Sequence, residues 1–445
     1  MNRAYQRARV VGTANSSSEN FADLFIQPTS KFFEKWQIDA KLSYMENKAL
    51  LSAFVIALVD VLGMTIIIPL LPFYAEKYHA TPFLVGALVS VFAACQLVGG
   101  PILGKLSDTF GRKPLLIISQ IGTLIGFLIL AFSTNLWLIF LSRIVDGVTA
   151  GNISLIQAHI ADSTTTEDRG RSYALLGIAF GIGFFIGPAI SGFLAQYNFQ
   201  YPIFAAAALS GLSIILTCLF IPAKDKLLQE EHKRTSTKLF AVSNYTRYFR
   251  ERQLADILMQ WLIYSLAFAV FTSGFALFAE RQFSTPQAHF GVRQVSYVLS
   301  YVGFLGIILP PLLTQRLMKN LGDYKTVQLS IFSLMLGYGM LAFVHEMVGL
   351  TISCTLSSFG GGMLRPVLTT IITKRAPKGE QGAVLGISQS LMSLAQIVAP
   401  LVSGFLIDKA MLMQWSLLAG GLCASALIFS FRLKQTELAT ADSTV

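Results

Sequence analysis

Charge is what this sequence has least of. Asp, Glu, Lys and Arg together make up 13% of its 445 residues, apolar residues 53%, and the mean hydropathy is +0.60. That composition excludes an ordinary water-soluble domain. Cysteine is equally sparse. Cys95, Cys218, Cys354 and Cys423 all fall inside apolar runs with no paired spacing, so they read as small packing residues rather than a disulfide framework or a zinc site. There is no His-Glu-x-x-His, no nucleotide-binding glycine loop and no cluster of acids within the apolar runs. An enzyme is therefore not expected, and no catalytic residue, metal ligand or cofactor is assigned.

What the chain does have is long apolar stretches. Hydrophobic windows place spans near 50–72, 83–103, 115–132, 136–160, 173–195 and 201–221, then near 256–279, 295–315, 326–344, 348–372, 383–407 and 413–432. Most approach the ~20 apolar residues a helix needs to cross a bilayer. Lipid cannot satisfy the backbone of an open strand, so the expectation is an all-α membrane protein of about twelve transmembrane helices. The first run starts near residue 49, too far in for a cleaved signal peptide, so it is expected to be retained. The tail before it is Arg- and Ser-rich, but Glu19 and Asp23 are unlike a transit peptide. Phe32, Phe33 and Trp36 among Lys31, Lys35 and Lys41 suit a short interfacial helix.

The net charge of +10 invites a nucleic-acid reading, and its distribution removes it. Of 34 Lys and Arg, 28 lie in the tails and in every second loop, 4 on the opposite side (Lys77, Arg281, Arg293, Lys409) and 2 within spans (Arg143, Arg365). By the positive-inside rule both termini are expected in the cytosol. The polar stretch 222–255 divides six spans from six. The domain boundaries that follow are a tail 1–48, a bundle 49–221, a linker 222–255, a bundle 256–432 and a tail 433–445. The halves look like repeats. Gly187-Pro-Ala-Ile-Ser-Gly-Phe-Leu194 matches Ala399-Pro-Leu-Val-Ser-Gly-Phe-Leu406, and Pro188/Pro400, Gly192/Gly404 and Gly170/Gly382 are each 212 residues apart.

Four groups of residues carry chemistry. Gly104-Lys-Leu-Ser-Asp108-Thr-Phe-Gly111-Arg112-Lys113 forms a short charged turn between the second and third apolar runs. Its glycines permit a sharp reversal, Asp108 can face a helix N-terminus, and Arg112 can fork onto a carboxylate. The turn at Arg316–Lys325 is a degraded copy. Gly183, Gly187, Pro188 and Gly192 give the fifth span close-packing positions and a kink. In the fourth span, Arg143 is expensive in lipid and needs a partner or a wet cavity; Asp146, at i+3, and Asp60 are the two candidates. Asp60 sits near the middle of the first span, poised between burial, which favours the neutral acid, and any nearby cation, which favours the anion. Arg365, before Pro366 in the tenth span, either lines the cavity or contacts backbone carbonyls. Asn152, Gln157 and His159 are expected to bond between helices. Trp261, Tyr264, Phe268 and Phe271 of the seventh span are expected to pack toward lipid.

The turn, spelled G-x-L-x-D-x-x-G-R-K, resembles the signature loop of the major facilitator superfamily, whose members place two six-helix bundles around a mid-membrane site. That resemblance implies that the loop latches the two halves together on the cytosolic side when the cavity faces outward. Ala174, Gly183, Gly187, Pro188, Ser191 and Gly192 resemble the antiporter motif of proton-coupled drug exporters, with two glycines replaced. Arg143 through Gly151 resembles the R-x-x-Q-G-x-G-A-A motif, with Asp146 for Gln and Thr149 for Gly. The stretch Ser142–Gly192, with Ala158-His-Ile-Ala-Asp162, is similar to the tetracycline/proton antiporter branch. That branch carries an acid in the third span where Gly126 aligns, which turns the expectation to another amphipathic organic substrate. The resemblance implies proton-coupled export by alternating access from a plasma (bacterial inner) membrane, driven by the proton gradient, by a monomer in lipid without nucleic acid. Asp60, Arg143, Asp146 and Arg365 would then be the proton and substrate site. A carrier of an anionic metabolite or siderophore-like acid is the alternative, and a transport-inactive receptor or scaffold an alternative of another class.

Overall fold

The computed structural model describes residues 23–163, 169–221, 248–249, 251–377 and 380–442. The described residues are helical apart from short connections. In chain order the helices are α1 (Asp23–Glu76), α2 (Pro82–Phe110), α3 (Arg112–Ala131), α4 (Leu136–Val148), α5 (Asn152–Ser163), α6 (Arg169–Ala195) and α7 (Gln200–Phe220). They continue as α8 (Arg252–Phe283), α9 (Val292–Leu321), α10 (Asp323–Met340), α11 (Met347–Arg375), α12 (Gln381–Asp408) and α13 (Leu412–Asp442). The chain divides into two units, Met1–Lys48 and Ala49–Val445. In the first, residues 23–48 are helical. Most of the expected linker, 222–247 and residue 250, lies outside the described residues, as do the tail residues 1–22.

Among the described residues, eleven stretches, from 20 to 30 residues long, are long and apolar enough to cross a membrane. The chain is an integral, multi-pass helical membrane protein. The expected ninth span is not among the eleven. Its helix, α10, has 18 residues and opens on Asp323-Tyr-Lys-Thr, with Gln328, Ser330 and Ser333 following.

Local chemistry sets several of the ends. Thr81 accepts from Leu84 N–H (3.4 Å) with Pro82 just behind it, and Asn135 accepts from Leu138 N–H (3.0 Å), each capping the helix it precedes. Residues 104–110 differ from the expected ten-residue turn: they continue α2, and one residue, Gly111 at φ 95°, turns the chain into α3. Gly322, at φ 82°, does the same between α9 and α10.

The expected fourth span is also different, because it is broken. Residues 149–151 lie between α4 and α5. Thr149 folds its hydroxyl back onto the Val145 carbonyl (2.7 Å), and the Ser119 hydroxyl of α3 donates to the Thr149 carbonyl and accepts from Gly151 N–H (2.9 Å). A break at membrane depth needs its freed backbone groups satisfied from a neighbour, and one serine does both.

α3 packs on α4 and α7, and α2 on α4. α10 packs on α11 and α13, and α8 on α12 and α13. Helices before residue 222 pack on helices after residue 251 chiefly through α2 with α12 and α6 with α9, and α2 also touches α8. Trp261, Tyr264 and Phe271 are buried rather than turned toward lipid. Trp261 donates to the Ser388 carbonyl (2.8 Å), and Phe271 stacks on Tyr338 with centroids 4.5 Å apart. A ring whose polar edge must be satisfied is held inside, where a backbone acceptor is available. Phe268 alone of the four is exposed.

Candidate functional site

Asp60 lies in the membrane-crossing stretch of α1, half-buried, on a helix whose Ile56, Ala57 and Val61 are buried. Its Oδ2 is enclosed and has no hydrogen-bond partner. The polar side chains that face its carboxyl are Gln120 of α3 and Ser213 of α7. These two are joined to each other, Gln120 Nε2 donating to Ser213 Oγ at 2.8 Å. Both neighbours are neutral. The sequence reading missed them, although Gln120 is a lone amide in the apolar run 115–132 and so carried a visible signal.

Arg143 pairs with Asp146 and not with Asp60. Its Nη1 lies 3.4 Å from Asp146 Oδ2, both residues are 6% exposed, and no ion pair joins Arg143 to Asp60 among the described residues. Nε donates to Ser142 Oγ at 3.3 Å, the guanidinium lies 5.9 Å from the Phe92 ring centroid, and Nη2 is enclosed without a partner. Thr123 of α3 faces the Asp146 carboxyl. One turn of α4 thus brings two opposite charges together, and the i, i+3 spacing is the reason. Arg365 is exposed and makes no ion pair among the described residues; the hydroxyl of Tyr264 on α8 lies within its electrostatic reach. Pro366 is carried inside α11 without ending it.

The bundle has two ends. The turn face carries residues 104–113, and the far face carries the connection 77–81. At the turn face Asp108 Oδ1 meets Arg112 Nη1 at 2.5 Å, Arg112 Nε meets Asp162 Oδ2 of α5 at 3.0 Å, and Lys113 Nζ donates to the Cys218 carbonyl of α7 at 2.8 Å. Asp108 is 62% exposed, and Arg112 and Lys113 find these partners within their own half of the chain. Gly104 sits inside α2 with open space where a Cβ would be. In the second half Asp323 Oδ2 meets Lys374 Nζ at 2.6 Å and Arg375 Nη2 donates to the Tyr324 hydroxyl at 3.0 Å.

The far face is where the halves meet. Ser90 Oγ of α2 donates to the Ile397 carbonyl of α12 at 2.7 Å, a Cβ on Gly86 would strike the Pro400 carbonyl, and one on Gly404 would strike that of Pro82. Glu76 Oε1 pairs with Arg281 Nη2 at 2.9 Å, joining α1 to α8. The glycines of the fifth-span motif divide between two neighbours. Gly183 and Gly187 pack on Val61 and Thr65 of α1, Thr65 Oγ1 donating to the Gly183 carbonyl at 2.9 Å, while Gly192 packs on Ser296 of α9. Pro188 lies inside α6. Close packing of small residues is what these positions do.

A many-helix membrane bundle with unpaired polar atoms in its interior, shut at one face, is the form of a transporter rather than of an enzyme. The chain belongs to the Major Facilitator Superfamily, whose family model matches residues 53–400 and 287–443. It is 29% identical over 365 residues to the class H tetracycline resistance protein of Pasteurella multocida, covering 81% of this chain and 89% of that one. It is 31% identical over 366 residues to the class C tetracycline resistance protein of Escherichia coli, covering 80% and 89%. It is 28% identical over 382 residues to multidrug resistance protein 2 of Bacillus subtilis, covering 83% and 91%. Among solved structures, the human organic anion transporter MFSD10 (TETRAN) superposes with a TM-score of 0.65 at 18% identity, covering 86% of this chain and 99% of that one. The nucleoside transporter NupG superposes with a TM-score of 0.68 at 14% identity, covering 87% and 98%.

Proposed function

We propose that this chain exports a small amphipathic organic molecule in exchange for protons, by alternating access between two six-helix halves (49–221 and 256–432). Asp60 carries the reading. It is an intramembrane acid with an unpartnered oxygen, faced by the neutral side chains of Gln120 and Ser213. With no fixed cation beside it among the described residues, the carboxyl is balanced by whichever positive species arrives, a proton or a cationic substrate, and each excludes the other. That competition is the simplest physical basis for antiport. Arg143, already balanced by Asp146, shapes the same half of the cavity. Asp108 and Arg112, held by Gly104, Gly111 and Lys113, form the latch that closes the turn face when the far face opens. The drug-exporting relatives support the export direction. On this reading there are twelve spans with both termini cytosolic, the chain works as a monomer in a plasma membrane, and the proton gradient replaces any cofactor.

The experiment is proton flux in proteoliposomes that hold a pH-sensitive dye under an imposed gradient. Ethidium, a neutral amphiphile and an anionic amphiphile are each added to wild type and to Asp60→Asn. Ethidium is expected to dissipate the gradient, and Asp60→Asn to cut that flux by about tenfold or more, the scale of one lost charge interaction. Substrate movement without proton flux would refute the mechanism.

Arg365, exposed and without an ion pair among the described residues, favours a second reading, a carrier of organic anions. It predicts that the anionic probe alone moves and that Arg365→Ala, not Asp60→Asn, abolishes it.

A further inference from the structure

Between the intramembrane pair Arg143–Asp146 and the turn-face pair Arg112–Asp162 stands one short helix. α5 begins three residues after α4 ends, and Asp162, gripped by Arg112 Nε at 3.0 Å, lies at its other end. Twelve residues make a rigid rod of about 18 Å. At the start of that rod the backbone is not continuous with α4. The three residues 149–151 carry the joint, and Ser119 of α3 holds both of its sides, donating to the Thr149 carbonyl and accepting from Gly151 N–H at 2.9 Å. The residues around the joint are small where it needs room. A Cβ on Gly122 would strike the Thr149 side chain, and one on Gly99 the Val148 carbonyl; one on Gly151 would come within 2.9 Å of Leu103 Cδ1.

The equivalent helix of the second half is built differently. By the 212-residue repeat spacing Thr149 corresponds to Gly361, and there α11 runs unbroken from Met347 to Arg375. The break is therefore a feature of one half, not a requirement of the fold. Three residues before it stands Asp146, and Asp146 also leans on α3 through Thr123.

We infer that α5 is a lever hinged at 149–151, that Ser119 is the positioning residue that couples its hinge to α3, and that through it the state of the Arg143–Asp146 pair is transmitted to the Arg112 grip on Asp162. A continuous helix would carry any tilt of α4 straight to the turn face. A hinge clasped from the side lets α4 and α5 move separately, with α3 as the shared reference. This goes beyond the transport reading above and does not depend on the substrate or on proton coupling.

The test reads coupling directly. Spin labels are placed at Thr109, exposed at the end of α2, and at Gly386, exposed on α12 with open space around it. Their distance distribution is recorded in lipid nanodiscs with Asp146 and with Asp146→Asn. In the otherwise wild-type chain, Asp146→Asn is expected to shift the distribution by about 5 Å, one helical turn. Ser119→Ala, which removes both bonds of the clasp, should reduce that shift by at least about half. Gly151→Ala should do the same by stiffening the joint while removing no bond, and it carries the test if Ser119→Ala does not fold, as judged by its melting profile. A full shift in both backgrounds, or no shift in any, overturns the lever. So does a Ser119→Ala variant that only melts earlier while its shift is unchanged.

Discussion

Gly126 and Asp146 occupy one place between α3 and α4. A Cβ built on Gly126 would lie 2.9 Å from the Asp146 Cβ and 3.1 Å from the Ser142 carbonyl, so only one of the two positions can carry a side chain there. The tetracycline-exporter branch that this sequence resembles carries its acid on the third span, at the position aligned with Gly126. Here the carboxylate reaches the same space from the fourth span, and Arg143 answers it at 3.4 Å. Removing Asp146 leaves a buried guanidinium without an anion, a loss of about 3–5 kcal/mol for pairs of this kind. Asp146→Gln is therefore expected to cut ethidium efflux per folded molecule by about tenfold or more. Gly126→Asp alone forces two side chains into one space and should lower the yield of folded protein. The double change Gly126→Asp with Asp146→Gly leaves one side chain in that space and restores the charge from the other helix, and efflux should return to within about threefold of wild type. A double variant as inactive as Asp146→Gln would mean that the acid must stand on α4, where Ser119 can act on it through the hinge.

The two inter-helix turns at the turn face are copies with their charges reversed. Gly111 and Gly322 both turn the chain at positive φ, 95° and 82°. The residue after each grips the end of a later helix: Arg112 takes Asp162, and Asp323 takes Lys374, 212 residues beyond Asp162. The second turn is degraded in spelling and intact in geometry, because an ion pair can be inverted without changing its length. Lys374 is 58% exposed, so the pair contributes about 0–1 kcal/mol to stability. Asp323→Lys or Lys374→Asp alone should lower the melting temperature by only a few degrees, while the exchanged pair Asp323→Lys with Lys374→Asp should melt within about 2 °C of wild type. An exchanged pair that melts lower than both single variants would refute the equivalence. Much at this scale was legible in sequence, since span lengths, the repeat spacing and the i, i+3 pairing of Arg143 with Asp146 are all local. The break after α4 was not, because its cause is a serine on another helix. Nor was the burial of Trp261 and Tyr264, which depends on what α12 and α10 present to them rather than on their own periodicity.

At the scale of the whole bundle, apolar burial is unevenly shared between the faces. One continuous core runs from Ile66, Leu70, Leu88 and Ile203 in the first half to Trp261, Phe275 and Trp415 in the second. The turn-face end of the first half, with Ala53, Ile56, Leu103, Leu116 and Leu155, forms a cluster of its own. Among the described residues the halves therefore share a core toward the far face and not at the turn face, and two kinds of contact could hold the far face shut. One is the ion pair Glu76–Arg281, whose partners are 23% and 32% exposed. Pairs of that exposure contribute about 0–1 kcal/mol, at most about fivefold in a population ratio. The other is the seam where Gly86 meets Pro400 and Gly404 meets Pro82, where any added carbon collides with backbone. A collision with backbone cannot be relieved by rotating a side chain, and overpacking of this kind costs about 1–3 kcal/mol or more. The seam should therefore outweigh the ion pair. A cysteine at Gly386, on the turn-face half of α12, reports which face is open through its rate of reaction with a bulky thiol reagent. With the four native cysteines replaced by serine, Gly86→Val should slow that reaction by about tenfold, because the far face can no longer close. Glu76→Gln should change it by less than about threefold. If Glu76→Gln slows labelling as much as Gly86→Val does, the charge and not the packing keeps the far face shut, and alternation between the faces is set by electrostatics rather than by the fit of one glycine seam.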